Sequence, residues 1–451
     1  MAHPVDTIAA LATPAGTSAL ACLRASGPLV LELAAAIFNE APTPRRARHA
    51  DYRAKTGTLI DDVVYTFFQE PDSYTGEDVL EISCHGNPFI ATKILEDLYA
   101  RGCRSAEPGE FTRQAFLNGR LDLSQAEAVV DVIHAHSERA LAAAQKQLRG
   151  ALGRQMQELI DQLLGFLAQI EAYIDFPDED LPPQDRSTLR AGIQRLITAV
   201  GRLLATTHYG EILRDGLKTV ILGEPNSGKS SLLNRLVGYE RALVSAEPGT
   251  TRDYLEERII LGPHCIRLTD TAGLNARPAP LEKLGMAKAL ERAAAADLIL
   301  LVLDATRPEP PLAPELSTLL TPQNALVIVN KTDLVPNRPC PPAPASLPLL
   351  RVSALTGAGC DELVAAIIRH AESFRTDQNE DLVTLNARHA DALARATECL
   401  RAALAKVDHR EPYELLASDL RGVLEAFSEI SGKIENEQVL DRLFSTFCIG
   451  K

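Results

Sequence analysis

No two of the eight cysteines in this 451-residue chain stand in a C-x-x-C pair. That absence excludes the common zinc-ribbon spacings, and the scatter suits reduced thiols better than a disulfide frame. The chain also lacks any run of about 18 apolar residues, so no membrane span is expected. The first residues, Met1-Ala-His-Pro-Val-Asp6, lack a basic stretch followed by an apolar core. We therefore expect no secretory leader and a cytoplasmic location. Positive charge is in deficit: 46 Lys and Arg face 60 Asp and Glu, for a net charge of −14. Broad electrostatic adhesion to nucleic acid or membrane is disfavoured, which leaves a local basic groove or binding through a partner. Apolar content of 46% and charged content of 24% are ordinary for a globular chain of two to four domains.

What the chain does have is three short motifs in fixed order. Gly223-Glu-Pro-Asn-Ser-Gly-Lys-Ser230 fits G-x-x-x-x-G-K-[ST]. An apolar run at 217–222 reads as the strand before it, and 231–237 continues at helical spacing. In such a loop the backbone N–H groups turn inward and the helix N-terminus favours anionic phosphate. Asn226, Ser227 and Gly228 form the cradle, with Ser231 beside it. Lys229 is expected to reach the β- and γ-phosphates, and Ser230 to ligate Mg²⁺.

Asp270-Thr-Ala-Gly273 closes a second strand-like stretch, 264–269. Asp270 can hold the Mg²⁺ shell through water and Gly273 can offer its N–H to the γ-phosphate, with Thr271 and Ala272 between them. Asn330-Lys-Thr-Asp333 closes a third, 326–329. The Asp333 carboxylate suits the N1–H and 2-amino donors of guanine, a pair that adenine lacks. Asn330 and Lys331 border the same pocket. Ser353, Ala354 and Leu355 follow the stretch 349–352 and add a backbone contact to the base. Together the motifs point to GTP rather than ATP.

The residue after the second motif is Leu274, which cannot orient an attacking water as a Gln would. Gly249-Thr-Thr-Arg-Asp253 reads as the first switch, with Thr251 as a second Mg²⁺ ligand. The preceding residues Ser245, Ala246, Glu247, Pro248, Gly249 and Thr250 lie in the nucleotide set. The Asn226 oxygen and backbone carbonyls near 245–250 could cage a monovalent cation where an arginine finger would place its charge.

Residues 1–120 mix strand-like runs (8–11, 19–23, 63–68, 79–84) with a helix at 89–99, which reads as an α+β domain. From Leu123 apolar residues recur at helical spacing, and helical sequence (121–215) runs up to the α/β nucleotide domain (216–377). Residues 378–451 are helical again. Two arrangements are open: two separate helical domains, or one bundle interrupted by an inserted GTPase domain. The second is preferred, because insertion is tolerated where an insert's ends lie close together.

Other stretches carry a resemblance. They are Asp6-Thr-Ile-Ala-Ala10, Pro71-Asp-Ser-Tyr-Thr-Gly-Glu-Asp78, Cys84-His-Gly-Asn-Pro88, Pro108-Gly-Glu-Phe-Thr-Arg113, Ala115-Phe-Leu-Asn-Gly-Arg-Leu-Asp-Leu123 and the terminal Cys448-Ile-Gly-Lys451. With the GTPase motifs they make the whole chain resemble the MnmE (TrmE) family of tRNA-uridine modification GTPases. The resemblance implies a multi-domain α/β and α fold. Its parts are an N-terminal α+β folate-binding-like dimerisation domain and a helical bundle interrupted by a Ras-like P-loop GTPase domain.

It also implies that Arg24, Glu81, Arg120 and Lys451 contact a tetrahydrofolate. Taken singly, each is an ordinary surface charge. Position 120 is commonly Lys in the family and Arg here, which keeps the charge but changes its geometry. In the GTPase domain the resemblance implies K⁺ held by Asn226, Ser245, Glu247 and Thr250, and Glu282 as the catalytic carboxylate acting on water. Cys448 is not assigned to catalysis. Cys84 and His85, as strand neighbours, should face opposite ways.

The function so implied is a K⁺-activated GTPase working as a homodimer with MnmG, an FAD/NADH-binding partner, in a heterotetramer acting on tRNA. It would install an aminomethyl or carboxymethylaminomethyl group at C5 of the wobble uridine, position 34. The carbon would come from 5,10-methylene-tetrahydrofolate (5-formyl-tetrahydrofolate serving as analogue) and the amine from ammonium or glycine. The alternatives are a ribosome-assembly or regulatory GTPase without modification chemistry, and a stand-alone folate aminomethyltransferase with a regulatory GTPase domain.

Overall fold

The computed structural model describes residues 6–175, 186–238, 256–270, 290–307, 314–336, 347–375, 383–432, 443–445 and 447–450. They fall into two compact units. The first comprises Met1–Val130, Leu148–Pro177 and Leu420–Lys451; the second comprises Asp131–Gln147 and Asp178–Asp419.

The first unit is built on a six-stranded sheet. Its strands are β1 (Ile8–Leu11), β2 (Leu20–Ser26), β3 (Arg48–Arg53), β4 (Leu59–Phe68), β5 (Val79–His85) and β6 (Arg104–Ser105), in the order β3-β4-β5-β2-β1-β6. Helices α1 (Val30–Phe38), α2 (Pro88–Ala100) and α3 (Glu110–Leu117) accompany it. Along β4, Val63, Tyr65 and Phe67 point into the core, as period-2 alternation requires. Leu23, Leu80, Ile82, Ile94 and Leu98 complete that core.

The start of α2 is set locally. Asn87 caps it by accepting the Phe89 N–H at 2.9 Å, and Pro88 takes the first position, where its missing donor is harmless. One buried charge on α2, Asp97, is fully engaged. It accepts from Tyr52 Oη, the Lys55 N–H and Arg101 Nε at 3.0, 2.7 and 2.6 Å.

Helix α4 (Leu123–Ile133) belongs mostly to this unit, and so does α6 (Ala151–Asp175). The residues that α6 buries recur every three or four positions, from Leu152 through Met156, Leu159, Ile160 and Leu163 to Ile170.

The second unit holds a sheet of order β12-β11-β10-β7-β9-β8. Its strands are β7 (Leu217–Gly223), β8 (Glu256–Leu261), β9 (His264–Asp270), β10 (Leu298–Asp304), β11 (Ala325–Asn330) and β12 (Leu349–Arg351). All pairings are parallel except β8 with β9. The parallel strands β10 and β11 are apolar almost throughout, because both faces of the sheet are covered. Helix α9 (Lys229–Val237) follows β7, and Pro314–Leu319 and Cys360–Ser373 are further helices of this unit.

Helices α5 (Glu138–Leu148), α7 (Arg186–Leu204) and α8 (Thr207–Asp215) precede the sheet in sequence; helix Ala387–Asp408 follows it. α7 packs along Ala387–Asp408, and Arg190 Nε meets Asp408 at 2.7 Å. Helical segments from before and after the α/β insertion therefore share one bundle, which decides between the two arrangements the sequence left open. The final helix is Tyr413–Ser431.

Strands β3, β6, β8 and β10 and helices α1 and α3 were not anticipated. β3 carries Arg48, His49, Asp51 and Arg53, which mask its period, and β10 ends in no recognised motif.

Candidate functional site

The register of the parallel sheet brings three strand ends together. Val302 of β10 lies opposite Gly223, and Asp304 lies opposite Asn330. The phosphate loop, Asp304 and the base motif thus share the carboxyl edge of the sheet, the usual ligand edge of open α/β folds.

Within the loop, Lys229 is 5% exposed and its Nζ donates to the carbonyls of Gly223 and Glu224 at 2.9 and 2.8 Å. A buried ammonium whose Nζ donates to two loop carbonyls places positive charge where an anionic phosphate is favoured. Asn226 has φ +66°, and its carbonyl accepts Lys331 Nζ at 2.6 Å. Gly228, at φ +97°, has no room for a side chain, because a Cβ would strike Asn330 Nδ2. Ser227 Oγ is buried without a hydrogen-bond partner among the described residues. Ser230 and Ser231 are exposed at the start of α9.

Asn330 joins loop to base motif. Its Nδ2 donates to the Ser227 carbonyl and its Oδ1 accepts from the Ala354 N–H, both at 3.0 Å. Lys331, itself at φ +64°, pairs with Asp304 Oδ2 at 2.7 Å. Burial pushes the Asp304 carboxyl up, but hydrogen bonds from Lys331 and Thr306 outweigh it and hold the carboxyl below the usual range. Thr332 Oγ1 donates to the Val352 carbonyl at 2.9 Å, and next to it the Asp333 side chain is exposed. Ser353 Oγ accepts the Thr356 N–H, and Leu355 is 77% exposed. Asp304 and Arg235 are functional neighbours that sequence reasoning missed. An Asp ending an apolar strand was the available signal for the first.

The backbone of Asp270 ends β9. Ser245, Ala246, Glu247, Pro248, Gly249, Thr250, Thr251, Thr271, Ala272, Gly273, Glu282 and Lys451 lie outside the described residues. Of the K⁺ set only Asn226 is described, and of the Mg²⁺ set only Ser230.

The first unit assembles a second cluster. Arg24 of β2 stands opposite Glu81 of β5, and its Nε and Nη2 both reach Glu81 Oε1, at 3.0 and 2.7 Å. The guanidinium lies 5.1 Å from the Tyr74 ring centre and 5.6 Å from that of Phe111. The C-terminal tail comes to the same place. Pro108 and Ile449 form an antiparallel bridge, and Arg24 Nη1 reaches the Gly450 carbonyl at 3.5 Å. The two residues form one ion pair, with the Arg24 guanidinium against two aromatic rings. Flat rings, a cation and a carboxylate with Oε2 outside that pair are a donor set that fits a pterin carrying an anionic tail.

Arg120 is exposed, and its aliphatic stem lies beside Gly76. Cys448 is exposed too, its carbonyl accepting the Gly109 N–H. Burial and then the Glu81 charge raise the Cys22 thiol above its ordinary value. Cys84 is buried and His85 exposed against Asp61, on opposite faces as strand geometry requires.

A doubly covered parallel sheet with a Lys-bearing glycine loop and an Asn-Lys-x-Asp base motif at one edge defines a P-loop nucleotide-binding protein of the GTPase type. Family models described as "GTP-binding protein TrmE N-terminus" and "MnmE helical domain" match residues 7–120 and 123–448. A protein of Opitutus terrae named tRNA modification GTPase MnmE is 58% identical over 448 residues, covering 99% of each chain. Relatives of the same name from Akkermansia muciniphila and Chlorobium chlorochromatii are 44% and 40% identical, each covering at least 98% of both chains. The chain belongs to the MnmE family of tRNA modification GTPases. No helix among the described residues is long and apolar enough to cross a membrane.

Proposed function

We propose that this chain is a cytoplasmic, K⁺-activated GTPase that, with MnmG, modifies C5 of the wobble uridine of certain tRNAs from a methylene-tetrahydrofolate carbon. The observation that carries the reading is the presence of two sites in a chain matched end to end by MnmE relatives: a phosphate loop beside a guanine-type base motif, and an Arg24–Glu81 cluster beside the C-terminal tail. In this reading the domains are 1–120, 121–215, 216–377 and 378–451. The chain acts as a homodimer and joins MnmG in a heterotetramer.

Lys229 neutralises the β- and γ-phosphates, and Ser230 and Thr251 hold Mg²⁺. Asn226, Ser245, Glu247 and Thr250 hold K⁺, and Glu282 orients water in place of the Gln that Leu274 replaces. Arg24 and Glu81, with Arg120 and Lys451, hold the folate, which supplies the one-carbon unit. Ordering of the two switch segments on the triphosphate, and their release after hydrolysis, would couple turnover to tRNA modification.

The test is mass spectrometry of wobble nucleosides from a strain lacking the gene. The modified uridine should disappear, return with the wild-type chain and fail to return with Glu282→Ala. Persistence of the nucleoside in the deletion strain would remove the reading. For the cation, GTP turnover should be faster in K⁺ than in Na⁺; equal rates would contradict the K⁺ site.

A further inference from the structure

Arg235 sits on α9, the helix that begins at Lys229. Its Nε donates to the Ala354 carbonyl at 3.0 Å, and its Nη2 donates to the Leu355 carbonyl. Two successive carbonyls, 119 and 120 residues further along the chain, are gripped by one planar fork. Among the described residues no carboxylate pairs with Arg235, so these carbonyls are its partners. The turn leaves room for the guanidinium: a Cβ built on Gly357 would lie 3.8 Å from Arg235 Cζ. Arg235 also borders an open groove of about 430 Å³ that runs from Ser231, next to the phosphate loop, to Ala354 and Leu355.

The consequence follows from peptide planarity. In a trans peptide the carbonyl and the next N–H point in opposite directions. Drawing the Ala354 and Leu355 oxygens toward α9 turns the Leu355 and Thr356 N–H groups away from it. The Thr356 N–H does point to Ser353 Oγ, at 3.1 Å. The Leu355 N–H makes no hydrogen bond among the described residues, while the side chain of Leu355 is left in solvent. The loop thus presents an unspent backbone donor whose direction is set by a side chain on another element.

We propose that Arg235 is a positioning residue for base recognition, aiming the Leu355 N–H at the 6-oxo group of the purine while the Ala354 N–H stays on Asn330. The inference rests on reading 353–355 as the base loop. It is separate from the role of Asp333, whose carboxylate suits the N1–H and 2-amino donors beside that oxo group. Arg235 also completes a closed frame: α9 to Ala354, Ala354 to Asn330, Asn330 to Ser227, and back to α9 through the phosphate loop. Grip on the phosphates and orientation of the base donors are thereby set by the same helix.

The experiment uses the full-length chain and competition binding of two diphosphates, GDP and 2-aminopurine riboside diphosphate, which lacks both the 6-oxo group and the N1–H beside it. The wild-type chain should prefer GDP. Arg235→Ala should weaken GDP about tenfold, the scale of losing one well-placed hydrogen bond. It should leave the 2-aminopurine compound within about twofold, narrowing the preference about tenfold and leaving the share that Asp333 supplies through N1–H. Arg235→Lys, which keeps one donor, should fall between and carries the test if the Ala variant does not fold. Equal weakening of both nucleotides would make Arg235 a purely structural tie and overturn the proposal, as would no change in either. A wild-type chain that binds ADP as well as GDP would instead remove the guanine reading itself, and the proposal with it.

Discussion

Replacing Asn330 by Ala should open the nucleotide pocket at two places at once. The side chain is 2% exposed and both of its hydrogen bonds, to the Ser227 carbonyl and from the Ala354 N–H, are buried. Truncation strands one acceptor and one donor away from water. Each stranded group costs roughly 1–3 kcal/mol, so about 3 kcal/mol of local stability should go. That is on the order of a hundredfold in a local opening equilibrium. The chain has no tryptophan to report on this. Hydrogen exchange read by mass spectrometry is therefore the assay, on peptides spanning 223–230 and 353–359. Both should lose protection together while peptides from β4 and β5 keep theirs. Asn330→Asp is the sharper control. It keeps an acceptor for the Ala354 N–H, sets an oxygen against the Ser227 carbonyl, and should therefore release the phosphate-loop peptide preferentially. A rise of less than about threefold in either peptide of the Ala variant would refute the idea that Asn330 ties loop to base motif.

Two further outcomes follow from particular contacts. The Asp304 carboxyl is held below the usual range, so the ion pair with Lys331 stabilises the folded chain fully above the unfolded value of about 4. It loses that effect as pH falls through the depressed value. The denaturation advantage of the wild type over Asp304→Asn should thus be flat from pH 7 to about 4 and shrink below; its disappearance between pH 6 and 5 would contradict the assignment. Gly109 has φ +68°, and a Cβ there would lie 2.7 Å from the Phe444 carbonyl and 2.9 Å from Phe447 Cβ. Gly109→Ala should loosen the C-terminal tail, read as faster proteolysis near residue 447, whereas an unchanged cleavage rate would show that the tail does not depend on this contact.

Much of the nucleotide domain was legible because three of its strands end in motifs whose chemistry dictates a strand before them. β7, β9 and β11 were read within a residue or two on that ground. β10 lies at the centre of the same sheet but ends in a lone Asp304, and the importance of that residue appears only when the parallel register sets it opposite Asn330. Arg235 was unreadable for a similar reason. Its partners lie more than a hundred residues away, and a single Arg on a helix carries no periodic or motif signal. The Arg24–Glu81 cluster was half legible. Both residues came from resemblance, but their direct pairing follows from the antiparallel register of β2 and β5. The helical bundle was indicated by spacing, and its continuity across the insertion was decided by α7 packing on Ala387–Asp408.

The claim on which the account turns is that the pocket reads guanine through Asp333. The direct measurement is steady-state hydrolysis of GTP and XTP by the full-length chain and by Asp333→Asn. An Asn amide can donate to the 2-oxo group of xanthine but cannot accept both guanine donors. The variant should therefore lose on the order of a hundredfold or more in kcat/KM for GTP and gain activity toward XTP. Undiminished preference for GTP in the variant would contradict the account.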